Sequence, residues 1–242
     1  MLCCLSVVSL ALPSQAKSLQ ILVGVEKPPY IQVNTKTGFE LELLRAVAQR
    51  MGYQAEFIHV PNGRLLDLFQ EGQGDLVSLQ NRPVDGFFAT APYIMYQNGL
   101  IVRANFPRNL NNLSQLAGLR IMAFQNATQF LPPAYAEAIT QAASYLEVVE
   151  QQQLPKMLLK QRVDVLVMDI NIFWYYFNQT TADANEVRLI NAFAENHYHL
   201  LARSAEMASQ FDAALQAVKQ SPHYQQLQQH YFPNRQLEKP LQ

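Results

Sequence analysis

Residues 65–77 read LLDLFQEGQGDLV, a leucine-rich helical segment that leads through a short polar turn into a strand headed by aspartate. Residues 157–166 read MLLKQRVDVL and repeat this arrangement. In each copy the apolar residues follow first a helical and then an extended pattern. This internal similarity predicts two similar lobes rather than one large sheet.

Around each copy, short apolar runs rich in β-branched residues alternate with helical patterns, as is typical of α/β domains with largely parallel sheets. The first half is predicted to contain the strand Leu19–Glu26, the helix Phe39–Met51, the strand Ala55–Val60, the helix Gly63–Gln70 and the strand Asp75–Leu79. The second half is predicted to contain the strand Leu119–Phe124, a helix within Thr128–Ser144, the strand Leu146–Val149, the helix Leu154–Lys160 and the strand Val163–Met168. The predicted fold class is α/β, with two helix-flanked sheets.

Two strand-like segments, Gly99–Ala104 and Tyr198–Arg203, join the halves without a Pro-, Gly- or Ser-rich linker. Two strand crossings predict a hinge between rigid lobes. We expect lobe 1 to comprise residues 17–103 and 200–242, and lobe 2 to comprise residues 104–199.

The chain ends with two predicted helices. The first covers Met207–Lys219, and the second starts at Ser221-Pro222, an N-cap residue followed by proline in the first helical turn. We expect both to pack on lobe 1.

The charge balance excludes some classes of partner, and the first residues predict the location of the protein. The 242 residues include 18 Lys and Arg against 19 Asp and Glu, which leaves no basic surplus for nucleic acid or an anionic membrane. Residues 2–12 form an uncharged apolar run that is too short to span a bilayer. We predict an export signal over residues 1–16, cleaved after Ala16, and a periplasmic location. Cys3 and Cys4 lie within this signal, which excludes thiol catalysis, Cys-ligated zinc and disulfides in the mature chain.

Ligands of open parallel sheets bind beyond the carboxyl ends of the strands, so the residues that follow each predicted strand are candidates. After the first strand comes Glu26, and then two prolines that stiffen a loop and hold Tyr30 in one place. Tyr30 could stack on a ligand or cover the edge of the sheet.

Polar side chains follow the third predicted strand. Ser78 and Gln80 can form hydrogen bonds, and the Arg82 guanidinium can bind a carboxylate through two parallel hydrogen bonds. A solvated surface arginine is the alternative for Arg82, and Arg64 is a second candidate for the carboxylate clamp.

The second half offers three further candidates. Asn126 can cap the helix that follows its strand, and Thr128 can present its hydroxyl to an anion. Asp169 ends the last strand, where a carboxylate could bind an ammonium group or cap the next helix. The aromatic run at residues 173–177 includes the only tryptophan, and we expect most of its rings to pack in the core.

The sequence lacks a Gly-rich phosphate loop, a Gly-x-Ser-x-Gly elbow and a His-Glu-x-x-His motif, which are signatures of kinases, hydrolases and zinc proteases. His197 and His199 face the same side of a strand, a spacing that could bind a metal. No cysteine or identifiable carboxylate completes such a set. We expect neither a metal nor a cofactor.

An ordered series of short motifs runs from Ile21 to Phe232. It comprises Val23-Gly24-Val25 before Pro28-Pro29-Tyr30, Gly38-Phe39-Glu40, Gly72-Gln73-Gly74-Asp75, Ala91-Pro92-Tyr93, Leu116-Ala117-Gly118, and Val163-Asp164 up to Asp169. This series resembles the bacterial extracellular solute-binding proteins of family 3, the periplasmic receptors of polar amino-acid ABC transporters. The resemblance implies a two-lobed periplasmic binding protein of type II, with two hinge strands between its sheets.

The resemblance also implies roles for individual residues. It implies stacking by Tyr30, hydrogen bonds from Ser78 and Gln80, contact of Thr128 with the ligand carboxylate, and capture of an α-ammonium by Asp169. The segment Asn81-Arg82-Pro83 departs from the usual Thr-x-x-Arg of the family.

The expected function is therefore capture of a small polar solute, an amino acid or a related zwitterion, by a monomer that delivers it to an ABC permease or a sensor. No catalytic residue is expected. The main alternative is an enzyme on the same scaffold, because the resemblance includes periplasmic dehydratases. Glu26, Asp169 or Glu195 would then act as general acid or base. A ligand-binding module without a transport role is a further alternative.

Overall fold

The computed structural model describes residues 17–233, so the predicted export signal lies outside the described residues. The first part contains β1 (Lys17–Val23), α1 (Phe39–Arg50), β2 (Tyr53–His59), α2 (Leu65–Gln70), β3 (Leu76–Gln80), β4 (Phe88–Ala89), β5 (Ile94–Tyr96) and β6 (Asn98–Arg103). It is followed by β7 (Arg120–Phe124), α3 (Ala127–Phe130), α4 (Pro133–Ile139), β8 (Ser144–Val148), α5 (Leu154–Leu159) and β9 (Val165–Asp169). The last part contains α6 (Ile170–Phe177), β10 (Val187–Ile190), β11 (Asn196–Ala202), α7 (Ala205–Lys219) and α8 (Pro222–Tyr231).

The strands form two sheets. The first has the order β2-β1-β3-β11-β4, and β5 also pairs with β11. The second has the order β10-β6-β9-β7-β8. In each sheet three neighbouring strands are parallel, β1 with β2 and β3, and β7 with β8 and β9. The α/β fold class with two helix-flanked sheets is confirmed.

The repeated aspartate has the same structural role in both lobes. Asp75 immediately precedes β3, and its Oδ2 accepts a hydrogen bond from the backbone N of Gln20 at 2.8 Å. Asp164 immediately precedes β9, and its Oδ2 accepts one from the backbone N of Arg120 at 2.9 Å. In each lobe the carboxylate therefore fixes the start of a central strand against its parallel neighbour, which explains why the helix-to-strand pattern recurs.

The chain changes sheets at two places. One lies at Gln97, between β5 and β6, and the other lies at residues 191–195, between β10 and β11. Residues 98–103 thus belong to the second sheet and residues 196–199 to the first, whereas the sequence-based division placed them in the opposite lobes. The apolar strand pattern continues through each crossing, so it carries no mark of the change of sheet.

The Gln97 side chain connects the two crossings. It is buried, and its Nε2 donates to Asn191 Oδ1 at 3.1 Å and to the Phe193 carbonyl at 2.7 Å. Because both acceptors lie in the other crossing, the hinge is a single hydrogen-bonded unit rather than two independent linkers.

The terminal helices pack on the first lobe, as predicted, where both α7 and α8 contact α1. The Ser204 and Ser221 hydroxyls cap their N-termini by accepting hydrogen bonds from the backbone. The Phe39 ring at the start of α1 lies 4.6 Å from the ring of Phe232, centroid to centroid. The C-terminal segment thereby covers the start of α1.

Gly38 is required by the close approach of two backbone segments. Its φ angle is 122°, and a Cβ atom at this position would lie 2.3 Å from the carbonyl oxygen of Tyr30. Its backbone N also donates a hydrogen bond to the Tyr231 hydroxyl at 3.1 Å. The first residue of the Gly38-Phe39-Glu40 motif must therefore be glycine, because any side chain at this position would push the backbone of the 27–31 loop away.

We predict that Gly38→Ala destabilises the protein more than Gly52→Ala does. Gly52 also has a positive φ angle, 83°, but has open space around its Cβ position, so it reports the conformational cost alone. That cost is about 1–2 kcal/mol, and the backbone clash at Gly38 should add about 1–3 kcal/mol. Urea unfolding of both variants measures the difference, and equal free energies of unfolding would contradict the steric argument.

Candidate functional site

The two lobes face each other across a cleft of about 680 Å³. It lies beyond the carboxyl ends of β1 and β3 on one side and of β7, β8 and β9 on the other, which is the usual ligand position in open parallel sheets. Val25 and Gln80 line the first wall, and Phe124 and Val148 line the second. A solute in this cleft would contact both lobes.

The cleft combines apolar surface with amide groups. Among the lining residues that the structure describes, only Lys27 and Asp169 are charged, and many of the others are Asn, Gln or apolar. Three apolar lining residues, Val25, Phe130 and Val149, are 44%, 60% and 67% exposed. Exposed apolar side chains on both walls favour a ligand that presents apolar surface of its own.

Lys27 lies in the loop that follows β1. Its backbone N donates to the Ile31 carbonyl at 2.9 Å, and its own carbonyl accepts from the backbone N of Tyr30 at 3.0 Å, so the loop folds back on itself. The Lys27 Nζ lies 4.3 Å from the centroid of the Tyr96 ring. Burial lowers the pKa of Lys27, while the nearby Glu40 and Asp169 carboxylates partly oppose this.

Glu40 lies behind this loop, on the first turn of α1, and is fully buried. Its carboxylate accepts hydrogen bonds from the Tyr93 hydroxyl at 2.5 Å and the Tyr96 hydroxyl at 3.4 Å. Burial raises the pKa of Glu40, and these hydrogen bonds and Lys27 offset part of the shift. Glu40 thus fixes the tyrosine ring on which Lys27 rests.

Asp169 lies at the end of β9, where the two lobes meet, and is 4% exposed. Its Oδ1 accepts hydrogen bonds from the backbone N atoms of Asn171 at 2.9 Å and Ile172 at 3.0 Å. Its Oδ2 accepts one from the backbone N of Gln97 at 2.9 Å, and the Tyr30 hydroxyl donates to the carboxylate at 3.1 Å. Burial raises the pKa of Asp169 despite these contacts. The carboxylate caps α6 and binds both a hinge residue and a first-lobe residue.

Residues 19–234 match the model of the family described as bacterial extracellular solute-binding proteins, family 3. The chain belongs to this family. The resemblance of its motifs is thereby confirmed over nearly the whole described chain, and the protein is a ligand-binding protein by family. A comparison of the sequence with curated proteins finds no match.

Several solved structures share this fold. An ancestral cationic amino acid solute-binding protein, AncCDT-1, superposes with a TM-score of 0.73 at 18% identity, covering 89% of this chain and 95% of its own. Another structure of AncCDT-1 is described as an amino acid-binding protein and a precursor of cyclohexadienyl dehydratase. YCKB from Bacillus subtilis gives a TM-score of 0.72 at 17% identity, with 92% and 96% of the two chains covered.

A further similar structure is the GluR0 ligand-binding core from Nostoc punctiforme in complex with L-glutamate. It gives a TM-score of 0.65 at 20% identity and covers 88% of this chain and 99% of its own. At these identities the likeness shows the fold, the type II arrangement of two sheets flanked by helices.

The structure brings three of the residues predicted from the sequence to the cleft, namely Gln80, Asn126 and Asp169. Gln80 donates from Nε2 to the Ser78 carbonyl at 2.8 Å. Ser78 itself is fully buried, and its side chain lies beside Glu40 and Tyr93 rather than in the cleft lining. The ligand contacts of all four residues remain predictions.

Tyr30 lies behind the wall of the cleft. Its ring is fully buried and packs against the Tyr96 ring with centroids 4.3 Å apart, while its hydroxyl accepts a hydrogen bond from Asn171 Nδ2 at 2.8 Å. The tyrosines that line the cleft are instead Tyr96 and Tyr198. In this arrangement Tyr30 supports Tyr96 and Asp169.

The structure brings neither candidate arginine to the cleft. Arg64 is exposed with an Nη1 atom 3.9 Å from Asp67, and Arg82 is exposed on the loop after β3. Glu26 also lies outside the lining residues, and its Oε2 accepts a hydrogen bond from the backbone N of Val33 at 2.7 Å. Neither arginine is therefore placed to bind the carboxylate of a ligand in the cleft.

Thr128 contacts a carboxylate that belongs to the protein itself. Its backbone N and Oγ1 each donate to Glu147 Oε1 at 3.0 Å, and the backbone N of Asn126 donates to Glu147 Oε2 at 2.7 Å. Asn126 is the N-cap residue of α3, as predicted, although its side chain makes no capping hydrogen bond.

Sequence reasoning missed Lys27, Tyr96 and Glu147. Lys27 was within the loop that the prolines mark, but nothing in the loop sequence shows which of its side chains faces the cleft. Glu147 carried a weak signal, since it alternates with Tyr145 on a strand and therefore shares a face with it.

Two further features concern membranes and metals. Within residues 17–233 no helix has the length and apolar character needed to cross a membrane. In that same part of the chain, no group of three or more His, Cys, Asp or Glu residues is placed to hold a metal ion. His197 instead pairs with Glu195, with His197 Nε2 and Glu195 Oε2 3.3 Å apart.

The aromatic rings of residues 173–177 are absent from the described cleft lining, and Phe173 and Phe177 lie in the core.

The raised pKa of Glu40 predicts a pH-dependent stability. The Glu40 carboxyl group binds its proton more tightly in the folded protein than in the unfolded chain. The stability that the protonated Glu40 contributes to the fold is therefore fully present below about pH 4.5 and is lost as the pH rises through the raised pKa. We expect Glu40→Gln, which cannot ionise, to gain stability relative to the wild type as the pH rises through this range.

Urea unfolding at a series of pH values measures this difference in the free energy of unfolding. Glu56→Gln, on the exposed side of β2, controls for the loss of a surface carboxylate. A difference between Glu40→Gln and the wild type that stays constant with pH would show that burial of Glu40 does not govern its titration.

Proposed function

We propose that this protein captures a small organic solute, comparable in size to an amino acid, between its two lobes and delivers it to an ABC permease. The observation that carries the proposal is the cleft of about 680 Å³ between the lobes, lined by both, in a chain of a solute-binding family. Its volume is in the usual range for small-molecule sites. Export to the periplasm and action as a monomer are parts of the same proposal.

Structures of similar fold support an amino-acid-sized solute. The GluR0 core is bound to L-glutamate, and an ancestral arginine-binding protein of the same fold is bound to arginine. The proposal also rests on the two sheet crossings at Gln97 and residues 191–195, because a hinge of a few residues lets rigid lobes close on a ligand.

The positions of the candidate acids support solute binding better than they support catalysis on the same scaffold. Of Glu26, Asp169 and Glu195, only Asp169 lines the cleft, and its oxygens already accept hydrogen bonds from three backbone N atoms and a tyrosine. Incubation with prephenate or arogenate tests this alternative, since product formation would establish an enzyme.

We predict that a solute found by thermal-shift screening of amino acids, amines and organic acids binds in the cleft. At 100 times its dissociation constant it should stabilise the protein by about 2.7 kcal/mol. Phe130→Ala should weaken its binding roughly 5- to 30-fold, because about 1–2 kcal/mol of apolar burial is lost.

Phe88→Ala provides the matched control. Phe88 is 45% exposed and lies outside the cleft lining, so its loss should leave the affinity unchanged. Equal effects of the two substitutions would place the binding site elsewhere, and a screen without any stabilising compound would count against a solute receptor.

We further predict that a saturating ligand makes the molecule more compact. Contacts with both walls are possible only when the lobes approach, so the ligand shifts the population towards the closed form. Small-angle X-ray scattering measures the radius of gyration. An unchanged profile in the presence of a ligand that binds would rule out closure about the hinge.

A further inference from the structure

An α-amino acid needs two charged partners in its binding site, one for the carboxylate and one for the ammonium. The family resemblance assigned these roles to Thr128 and Asp169. In this structure, groups of the protein itself already contact both residues.

Glu147 occupies the carboxylate position. Its two oxygens accept hydrogen bonds from the backbone N atoms of Asn126 and Thr128, from Thr128 Oγ1 and, at 2.8 Å, from the Tyr145 hydroxyl. Burial raises the pKa of Glu147, but these hydrogen bonds outweigh it and leave the pKa below its usual range. The donors at the start of α3 therefore hold an internal carboxylate and are not free for a ligand.

Asp169 is similarly engaged. Its carboxylate accepts from the backbone N atoms of Gln97, Asn171 and Ile172 and from the Tyr30 hydroxyl. These four donors use most of the lone pairs of a carboxylate. A ligand ammonium would have to displace contacts that hold the hinge and the N-terminus of α6.

Lys27, unlike Glu147 and Asp169, is available to bind a ligand. It lines the cleft and rests on Tyr96, and the Glu40 and Asp169 carboxylates act on it electrostatically. Its Nζ nevertheless forms no hydrogen bond or ion pair with any residue within 17–233. A partly buried ammonium without a hydrogen-bonded partner is costly, and a ligand anion would supply that partner. Because neither Arg64 nor Arg82 reaches the lining, Lys27 is its only cation among the described residues.

The apolar part of the ligand follows from the walls. Val25 from the first lobe and Phe130 and Val149 from the second present exposed side chains to the cleft. Closure on an apolar ligand body would bury this surface on both sides.

We infer that the cleft takes an organic carboxylic acid with an apolar body and without an ammonium group, and that Lys27 Nζ binds its carboxylate. This inference rests on the proposed function and names the solute class for the same cleft. It sets the chain apart from an amino-acid receptor, because the protein's own Glu147 fills the position of the ligand carboxylate and Asp169 is committed to the fold.

Two matched series of compounds test the inference by isothermal titration calorimetry. L-phenylalanine is compared with 3-phenylpropanoate, which lacks its ammonium, and with 2-phenylethylamine, which lacks its carboxylate. L-leucine is compared with 4-methylpentanoate and 3-methylbutylamine in the same way. We expect at least one acid to bind, its amino acid to bind at least tenfold more weakly, and its amine not to bind.

Variants test the role of Lys27. Lys27→Met keeps the unbranched side chain up to the position of Cε and removes the charged Nζ, and it should weaken binding of the acid roughly thirtyfold or more. Lys27→Arg should restore part of this loss. Lys156→Met, at an exposed position of α5, should bind as the wild type does. Circular dichroism checks that each variant is folded, and Lys27→Gln replaces Lys27→Met if the latter fails to fold.

The possible outcomes separate this inference from the proposed function. An amino acid that binds more tightly than its matched acid would overturn the inference and leave the solute receptor intact. Binding of the acid that Lys27→Met does not weaken would overturn the role of Lys27. No binding of either acid would overturn the inference, and failure of the whole solute screen in addition would overturn the receptor as well.

Discussion

The arrangement of the molecule depends on the buried carboxylate of Asp169. A carboxylate removed from water must be hydrogen-bonded, and the available donors come from three parts of the fold. Gln97 lies at a sheet crossing, Asn171 and Ile172 begin α6, and Tyr30 belongs to the first lobe. Satisfying one charge therefore positions the hinge, a helix of the second lobe and the loop that carries Lys27.

The use of Asp169 within the fold determines which charged groups of the cleft remain available to a ligand. Tyr30 binds Asp169 and packs on Tyr96, Tyr96 bonds to the buried Glu40, and the Lys27 ammonium rests on the Tyr96 ring. The acids of this cluster accept hydrogen bonds within the fold, whereas the Lys27 ammonium forms no hydrogen bond or ion pair with the described residues. Together with the apolar side chains on both walls, this arrangement explains why the cleft suits an acid with an apolar body.

The sequence predicts the fold well because its signals are local and repeated. The apolar periods and the aspartates at Asp75 and Asp164 define the two lobes, and each aspartate binds the backbone of a neighbouring parallel strand, β1 or β7. The site is less predictable because it depends on which way side chains point. Lys27 and Tyr30 share one loop, yet only Lys27 lines the cleft, and the contact of Glu147 with Thr128 requires the pairing of β7 with β8.

The most direct test of this account is a crystal structure of the protein with a solute that binds in the cleft. We expect a ligand carboxylate within hydrogen-bond distance of Lys27 Nζ, with Glu147 still bound to Asn126 and Thr128 and Asp169 still bound to Gln97. A ligand whose carboxylate replaces Glu147 at the start of α3 and whose ammonium contacts Asp169 would contradict it.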